Sequence, residues 1–208
     1  MNTSGHDNPE PRQRRASGNV FLVGLMGAGK TSVGKLLARR LGKAFYDCDQ
    51  EIERATGVKI PVIFEIEGES GFRARESKML AELVSRSDTV LATGGGAVLS
   101  AENRALLSGN GVVVYLRAAA PDLWNRTRHD KNRPLLKTGE PLAKLEQLFM
   151  ERDPLYKGVA DIIVDSSTQS VASLAHRVEQ QILQHQSGAG GDEASPLRMA
   201  GTGGNQSC

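Results

Sequence analysis

Gly24-Leu25-Met26-Gly27-Ala28-Gly29-Lys30-Thr31 is the stretch that decides how this chain is read. It fits G-x-x-x-x-G-K-[ST], a loop whose glycines lack a Cβ and so let backbone N–H groups close around a run of phosphates. In that reading Gly27, Ala28, Gly29, Lys30, Thr31 and Ser32 surround the anion. Lys30 reaches the terminal phosphates, Thr31 offers its hydroxyl to Mg²⁺, and the following helix turns its positive end toward the charge. The flanks agree. Asn19-Val20-Phe21-Leu22-Val23 is a short apolar run that suits a buried parallel strand. Val33, Leu36, Leu37 and Leu41 recur at helical spacing, and Gly42 is placed to stop the helix.

The chain has 208 residues, enough for one domain with tails, and 39% of them are hydrophobic. A formal net charge of +2 argues for no nucleic-acid or membrane partner. No segment approaches the roughly eighteen apolar residues of a membrane span. The N-terminus lacks a signal peptide's apolar core. Two cysteines, Cys48 and Cys208, give neither a disulfide framework nor zinc spacing, which fits a reducing cytoplasm. Residues 1–17 and 187–208 are rich in Gly, Ser, Pro, Asn and charge and read as disordered tails around a domain over 18–186.

Within that domain strands and helices alternate. Strands are expected at Ala44–Asp47, Thr89–Thr93, Gly111–Leu116 and Asp161–Asp165. Helices are expected over 50–55, 61–66, 71–84, from Ser100, after Pro121, over 141–155, and from a Ser170 cap. In the last helix Val171, Leu174, Ala175, Val178 and Ile182 make one apolar face. The pattern means an α/β fold, a five-stranded parallel sheet between two helical layers.

Ligands of such sheets sit at the carboxyl ends of the strands, which brings together the phosphate loop, Asp47 with Asp49, and Gly94-Gly95-Gly96. Two residues apart in extended chain, the aspartates share a face. They are either solvated turn residues or a pair in which one holds a nucleotide-bound metal and the other an attacking hydroxyl. The three glycines are either a plain turn or a place where backbone meets a ligand. Arg126, Arg128, Lys131 and Arg133 form a solvated loop, a short nucleic-acid patch, or a lid over phosphates spanning about 126–139. Arg73, Arg75 and Glu76 share one helix and Arg152 lies on a later one. Two such arginines in one cleft would bind a carboxylate in charge-assisted forks.

Taken together, these residues resemble the shikimate kinase family. The matching stretches are the phosphate loop, Phe45-Tyr46-Asp47-Cys48-Asp49, Gly71-Phe72-Arg73-Ala74-Arg75-Glu76, Thr93-Gly94-Gly95-Gly96, Asn132-Arg133-Pro134-Leu135-Leu136 and Glu151-Arg152-Asp153-Pro154-Leu155-Tyr156. They follow the family's order across residues 19 to about 184. The resemblance implies ATP- and Mg²⁺-dependent phosphorylation of the 3-hydroxyl of shikimate, a step toward chorismate and the aromatic amino acids. It implies a nucleoside-monophosphate-kinase type of fold with strand order 2-3-1-4-5 and a monomer. It assigns the phosphates to Lys30 and the loop amides, the metal to Thr31 and Asp47, and shikimate hydroxyls and the base to Asp49. The shikimate carboxylate goes to Arg73 and Arg152, with Gly94, Gly95 and Gly96 lining the pocket. The transferred phosphate falls to a lid arginine, Arg133, and the adenine to Arg126 and Gln169.

The loop runs Lys30-Thr31-Ser32 where the family commonly has Lys-Ser-Thr, so both hydroxyls remain. The glycine-rich extension past residue 187 lies outside the family core. A kinase for another polyol acid such as gluconate, a nucleotide-binding module without catalysis, and a nucleic-acid-dependent ATPase are the alternatives. Asp49, Arg73 and Arg152 argue for an acceptor pocket and against the module. Size and charge argue against the ATPase.

Overall fold

The structure, a computed structural model, describes residues 16–129, 134–136, 139–167 and 169–189. Five parallel strands form its centre: β1 (Asn19–Val23), β2 (Ala44–Asp47), β3 (Thr89–Ala92), β4 (Gly111–Arg117) and β5 (Ile162–Asp165), in the order β2-β3-β1-β4-β5. The order is the one the resemblance implies. Val20 pairs with Val90 on one side and Val112 on the other, so β1 is central. All five residues of β1 are buried. Successive side chains of a strand point to opposite faces, so both faces of the sheet are covered.

Among the described residues seven α-helices provide the cover: α1 (Lys30–Leu41), α2 (Cys48–Thr56), α3 (Ile60–Val84), α4 (Ala101–Asn110), α5 (Ala120–Thr127), α6 (Pro141–Val159) and α7 (Val171–Ala189). α1 packs on α7, and α4 packs against α3 and α6. Gly42 ends α1, Ser100 caps α4 by accepting from Asn103 N, and Pro121 stands in the first turn of α5, as the sequence predicts.

The two helices expected over 61–66 and 71–84 are present as two segments of α3 that meet at a kink at Gly68, whose φ of 69° and ψ of −176° are non-helical and suit glycine. Three other local readings are corrected. Arg75 is tied across that break to Glu67 at 2.6 and 2.7 Å and not turned into a cleft. α6 does not stop near Leu155. It runs on through Pro154 to Val159, because Tyr156 and Val159 continue its buried stripe. Val171 does not join the apolar face of α7: Leu174, Ala175, Val178 and Ile182 are buried, but Val171 is exposed.

Close to the boundaries expected at 18 and 186, the two ends of the described domain meet. Ala16 is buried, Ser17 exchanges two backbone hydrogen bonds with the Gln186 amide, and α7 runs to Ala189. The tails over 1–15 and 190–208 lie outside the described residues.

Candidate active site

β1 delivers the chain into the phosphate loop. Gly24 has φ 140°, and a Cβ there would stand 2.5 Å from the Leu116 carbonyl oxygen. Gly29 precedes α1 with φ 98° and no side-chain cap. The first-turn amides of α1 therefore have no side chain competing for them, as an anion site requires. Lys30 Nζ lies on the carbonyls of Gly24 and Leu25 at 2.6 and 3.0 Å, beside the loop. Arg126 Nη2 donates to the Ser166 and Ser167 carbonyls and its Nη1 to that of Gly27 at 3.3 Å. This bonding brings the loop and the β5–α7 connection to one place. A cavity of about 400 Å³ runs along the loop, and Gln169 and Val171 help to line it.

Asp47 and Asp49 meet this cavity, but not as a pair on one strand face. β2 ends at Asp47, whose Oδ1 accepts from the backbone N–H groups of Asp49 and Gln50 at 3.1 and 3.3 Å. That is an N-cap, and it starts α2 one residue after the strand. Asp47 Oδ2 accepts from Thr31 Oγ1 at 2.6 Å. Asp49 lies in the first turn of α2. Cys48, between them, is buried, and burial first, then Asp49, Glu76 and Asp47, pushes its thiol up. It is a packing residue, as a protonated thiol is a poor nucleophile.

A second cavity of about 340 Å³ opens on the other side of Thr31, Asp47 and Asp49. These three residues and Met26 line both cavities. Arg73, Glu76, Gly95, Gly96 and Arg152, with Gln50 and Glu53, complete the polar side of the second one. Ile60, Phe64 and Phe72 supply an apolar wall.

The three glycines act through space, not as a positive-φ turn. A Cβ on Gly94 would stand 2.0 Å from Glu76 Oε1 and 3.0 Å from Asp49 Oδ1. On Gly96 it would stand 2.1 Å from Arg73 Nη1, whereas on Gly95 it would meet nothing closer than 3.5 Å. Missing Cβ atoms thus admit the side chains of the second cavity. The segment is held at both ends. Thr93 donates its N–H and its hydroxyl to the Leu22 carbonyl, and buried Asn103 donates to that of Ala97.

Arg73 Nη1 donates to Glu76 Oε2 at 2.7 Å, and its Nη2 to Glu69 at 2.8 Å. Burial pulls the Arg73 guanidinium down, but Glu76 and Glu69 outweigh it and hold it above its ordinary value. Burial pushes the Glu76 carboxyl up against the pull of Arg73, with Asp49 adding to the rise. Glu76 Oε1 is buried with no hydrogen-bond partner. Arg152 is 3% exposed; its Nη1 donates to the Gly95 carbonyl at 3.1 Å, and its Nε is buried without a partner. A buried guanidinium N–H beside a cavity is ready for an anion.

The structure therefore brings Lys30, Thr31, Asp47, Asp49, Arg73, Gly95, Arg126, Arg152 and Gln169 to two adjoining cavities. Arg133, the expected lid arginine, lies outside the described residues, as do Lys131 and Asn132. The sequence marks Glu76 only by its place beside the arginines. The signal for it was present: Phe72, Glu76, Leu80 and Leu83 form one buried stripe of α3, and a carboxylate in such a stripe needs a partner.

A phosphate loop on a parallel sheet, joined through Thr31 and Asp47 to an arginine-lined acceptor cavity, defines a small-molecule kinase of the phosphate-loop class. The family model described as shikimate kinase matches residues 26–183, and with three-quarters of its length covered the chain belongs to the shikimate kinase family. The shikimate kinase of Nitrosospira multiformis is 58% identical over 173 residues, 83% of this chain and 89% of that protein. That of Nitrosococcus oceani is 60% identical over 171 residues, 82% of this chain and 90% of its own. The structure of the Acinetobacter baumannii shikimate kinase in complex with shikimate superposes with a TM-score of 0.81 at 49% identity. It covers 83% of this chain and 96% of the other.

Proposed function

We propose that the chain transfers the γ-phosphoryl group of ATP to the 3-hydroxyl of shikimate, giving 3-phosphoshikimate and ADP on the route to chorismate and aromatic amino acids. The observation that carries this reading is the meeting of the two cavities at Thr31, Asp47 and Asp49. A donor phosphate on the loop and an acceptor hydroxyl beside Asp49 would face one another there.

The loop amides and Lys30 hold the phosphates, and Arg126 and Gln169 stand on the adenine side. Thr31 and Asp47, already 2.6 Å apart, fit a Mg²⁺ that takes one or two protein oxygens and completes its shell with phosphates and water. When bound, the ion neutralises charge on the phosphates. Asp49 accepts a hydrogen bond from the acceptor hydroxyl and takes its proton as the new O–P bond forms and the bond from Pγ to the bridging oxygen breaks. Arg73 and Arg152 clamp the carboxylate from opposite helices, and Glu76 holds Arg73 in place. Arg133 closes on the transferred group. We take the active unit to be a monomer. Among the described residues no helix is long and apolar enough to cross a membrane. We place the enzyme in the cytoplasm, where a buried free thiol such as Cys48 fits the reducing conditions.

The product tests the chemistry. NMR of the purified product should show phosphorus coupled to the proton on C3 of the ring. Coupling to the proton on C4 or C5 would overturn the assignment of the attacking hydroxyl.

A further inference from the structure

Tyr156 has no part in the roles above, yet it is fully buried behind the acceptor cavity. Its hydroxyl donates to the Gly95 carbonyl at 2.5 Å, and Arg152 Nη1 donates to the same oxygen at 3.1 Å. A carbonyl oxygen has two lone pairs, so these two donors fill it. Burial pushes the Tyr156 phenol well above its ordinary value, which keeps the proton on the hydroxyl at any working pH. The ring is itself fixed. It stacks on Tyr115 with centroids 4.8 Å apart, and the Tyr115 hydroxyl donates to Asp153 at 3.0 Å. Asp153 in turn pairs with Arg117 at 2.8 Å and Lys157 at 2.7 Å.

The arrangement has a consequence for Arg152. Its guanidinium has five N–H donors in a rigid fork. With Tyr156 on the second lone pair, the Gly95 carbonyl takes Arg152 only through Nη1, and Arg152 Nε, which faces away from that bond, is buried without a partner. Without the phenol, the free lone pair would draw the fork further onto the backbone.

We infer that Tyr156 is a positioning residue for the acceptor: by sharing the Gly95 carbonyl with Arg152, it turns the remaining guanidinium donors toward the acceptor's carboxylate. The inference rests on the reading of Arg152 as half of the carboxylate clamp.

A double-mutant cycle on the full chain tests both readings separately, with Tyr156→Phe and Arg152→Ala alone and combined, and kcat and KM measured for shikimate and for ATP. Arg152→Ala should raise the shikimate KM on the order of tenfold or more. Tyr156→Phe should raise it about threefold to tenfold, the worth of one oriented hydrogen bond, and leave the ATP KM unchanged. In the Arg152→Ala background the effect of Tyr156→Phe should vanish. An equal effect of Tyr156→Phe in both backgrounds, or on both substrates, would reveal a structural role only and overturn the proposal. An unchanged shikimate KM in Arg152→Ala would overturn the clamp, and the proposal with it. If Tyr156→Phe does not fold, 3,5-difluorotyrosine at position 156 keeps the ring and strengthens the donor; there an unchanged shikimate KM would overturn the proposal and a shifted one would support it.

Discussion

Thr31 Oγ1 donates to Asp47 Oδ2 at 2.6 Å, and this bond ties the phosphate loop to the helix that carries Asp49. Asp47 thus does two things: one oxygen caps α2 and the other faces the loop hydroxyl. Asp47→Ala removes both, and the lost cap should cost about 0.5–2 kcal/mol of stability, read by urea denaturation. Asp47→Asn keeps an oxygen for the cap and loses the charge. It should hold its stability and need more Mg²⁺ for half-maximal rate. An unchanged Mg²⁺ requirement in both variants would remove Asp47 from the metal site.

Glu76 predicts a sign for pH dependence. Burial holds its carboxyl above the ordinary value of 4.5, and the pull of Arg73 does not cancel the rise. The folded chain therefore binds this proton more tightly than the unfolded one. Its contribution is fully present below the unfolded value and is lost as pH rises through the folded value. Glu76→Gln does not titrate, so its stability relative to the parent should improve as pH rises from about 4.5, by at most about 1.4 kcal/mol per pH unit. Urea denaturation of both proteins across that range reads the difference. A difference constant with pH would contradict the assignment.

The glycine triplet predicts an asymmetry. A methyl at position 96 would land 2.1 Å from Arg73 Nη1, the mobile end of a side chain, while position 95 has room for one. Gly96→Ala should therefore fold, displace Arg73, and raise the shikimate KM on the order of tenfold, the loss expected for one charge-assisted hydrogen bond. Its ATP KM should not change. A parallel rise in both KM values would mean that the loop, not the clamp, was disturbed.

Arg73 itself should affect stability as well as affinity. Arg73→Ala leaves Glu76, 1% exposed, without its cation, at a cost of about 1–3 kcal/mol. Replacing both partners, Arg73→Met with Glu76→Met, should recover most of that stability, since a buried pair exchanged for apolar groups is often neutral. It should not recover shikimate affinity. Recovery of affinity in the double variant would show that Arg73 does not touch the acceptor.

Most of the fold could be read from residue pattern. The five strands are short apolar runs, and β1 is followed at once by a glycine loop and a helix of 3.6-residue period. Residue pattern is a poor guide where one residue serves two neighbours. Asp47 and Asp49 look like two residues of one strand face until Asp47, the last residue of β2, is seen to cap the helix that carries Asp49. Pro154 looks like a stop, yet buried Tyr156 and Val159 carry α6 past it. The acceptor cavity was legible as a set of residue types but not as contacts. Arg152 and Glu76 each interrupt an apolar stripe, and that marks a buried charge without naming its partner. The pairing of Tyr156 with Gly95, 61 positions apart, belongs to tertiary structure alone.

The central claim is that one cavity holds ATP and the other shikimate, with transfer between them. It is tested most directly by ADP release from the purified chain with Mg²⁺ and ATP, with shikimate and gluconate added in separate reactions. The account predicts strong stimulation by shikimate and none by gluconate. ATP binding without stimulation by shikimate would contradict it.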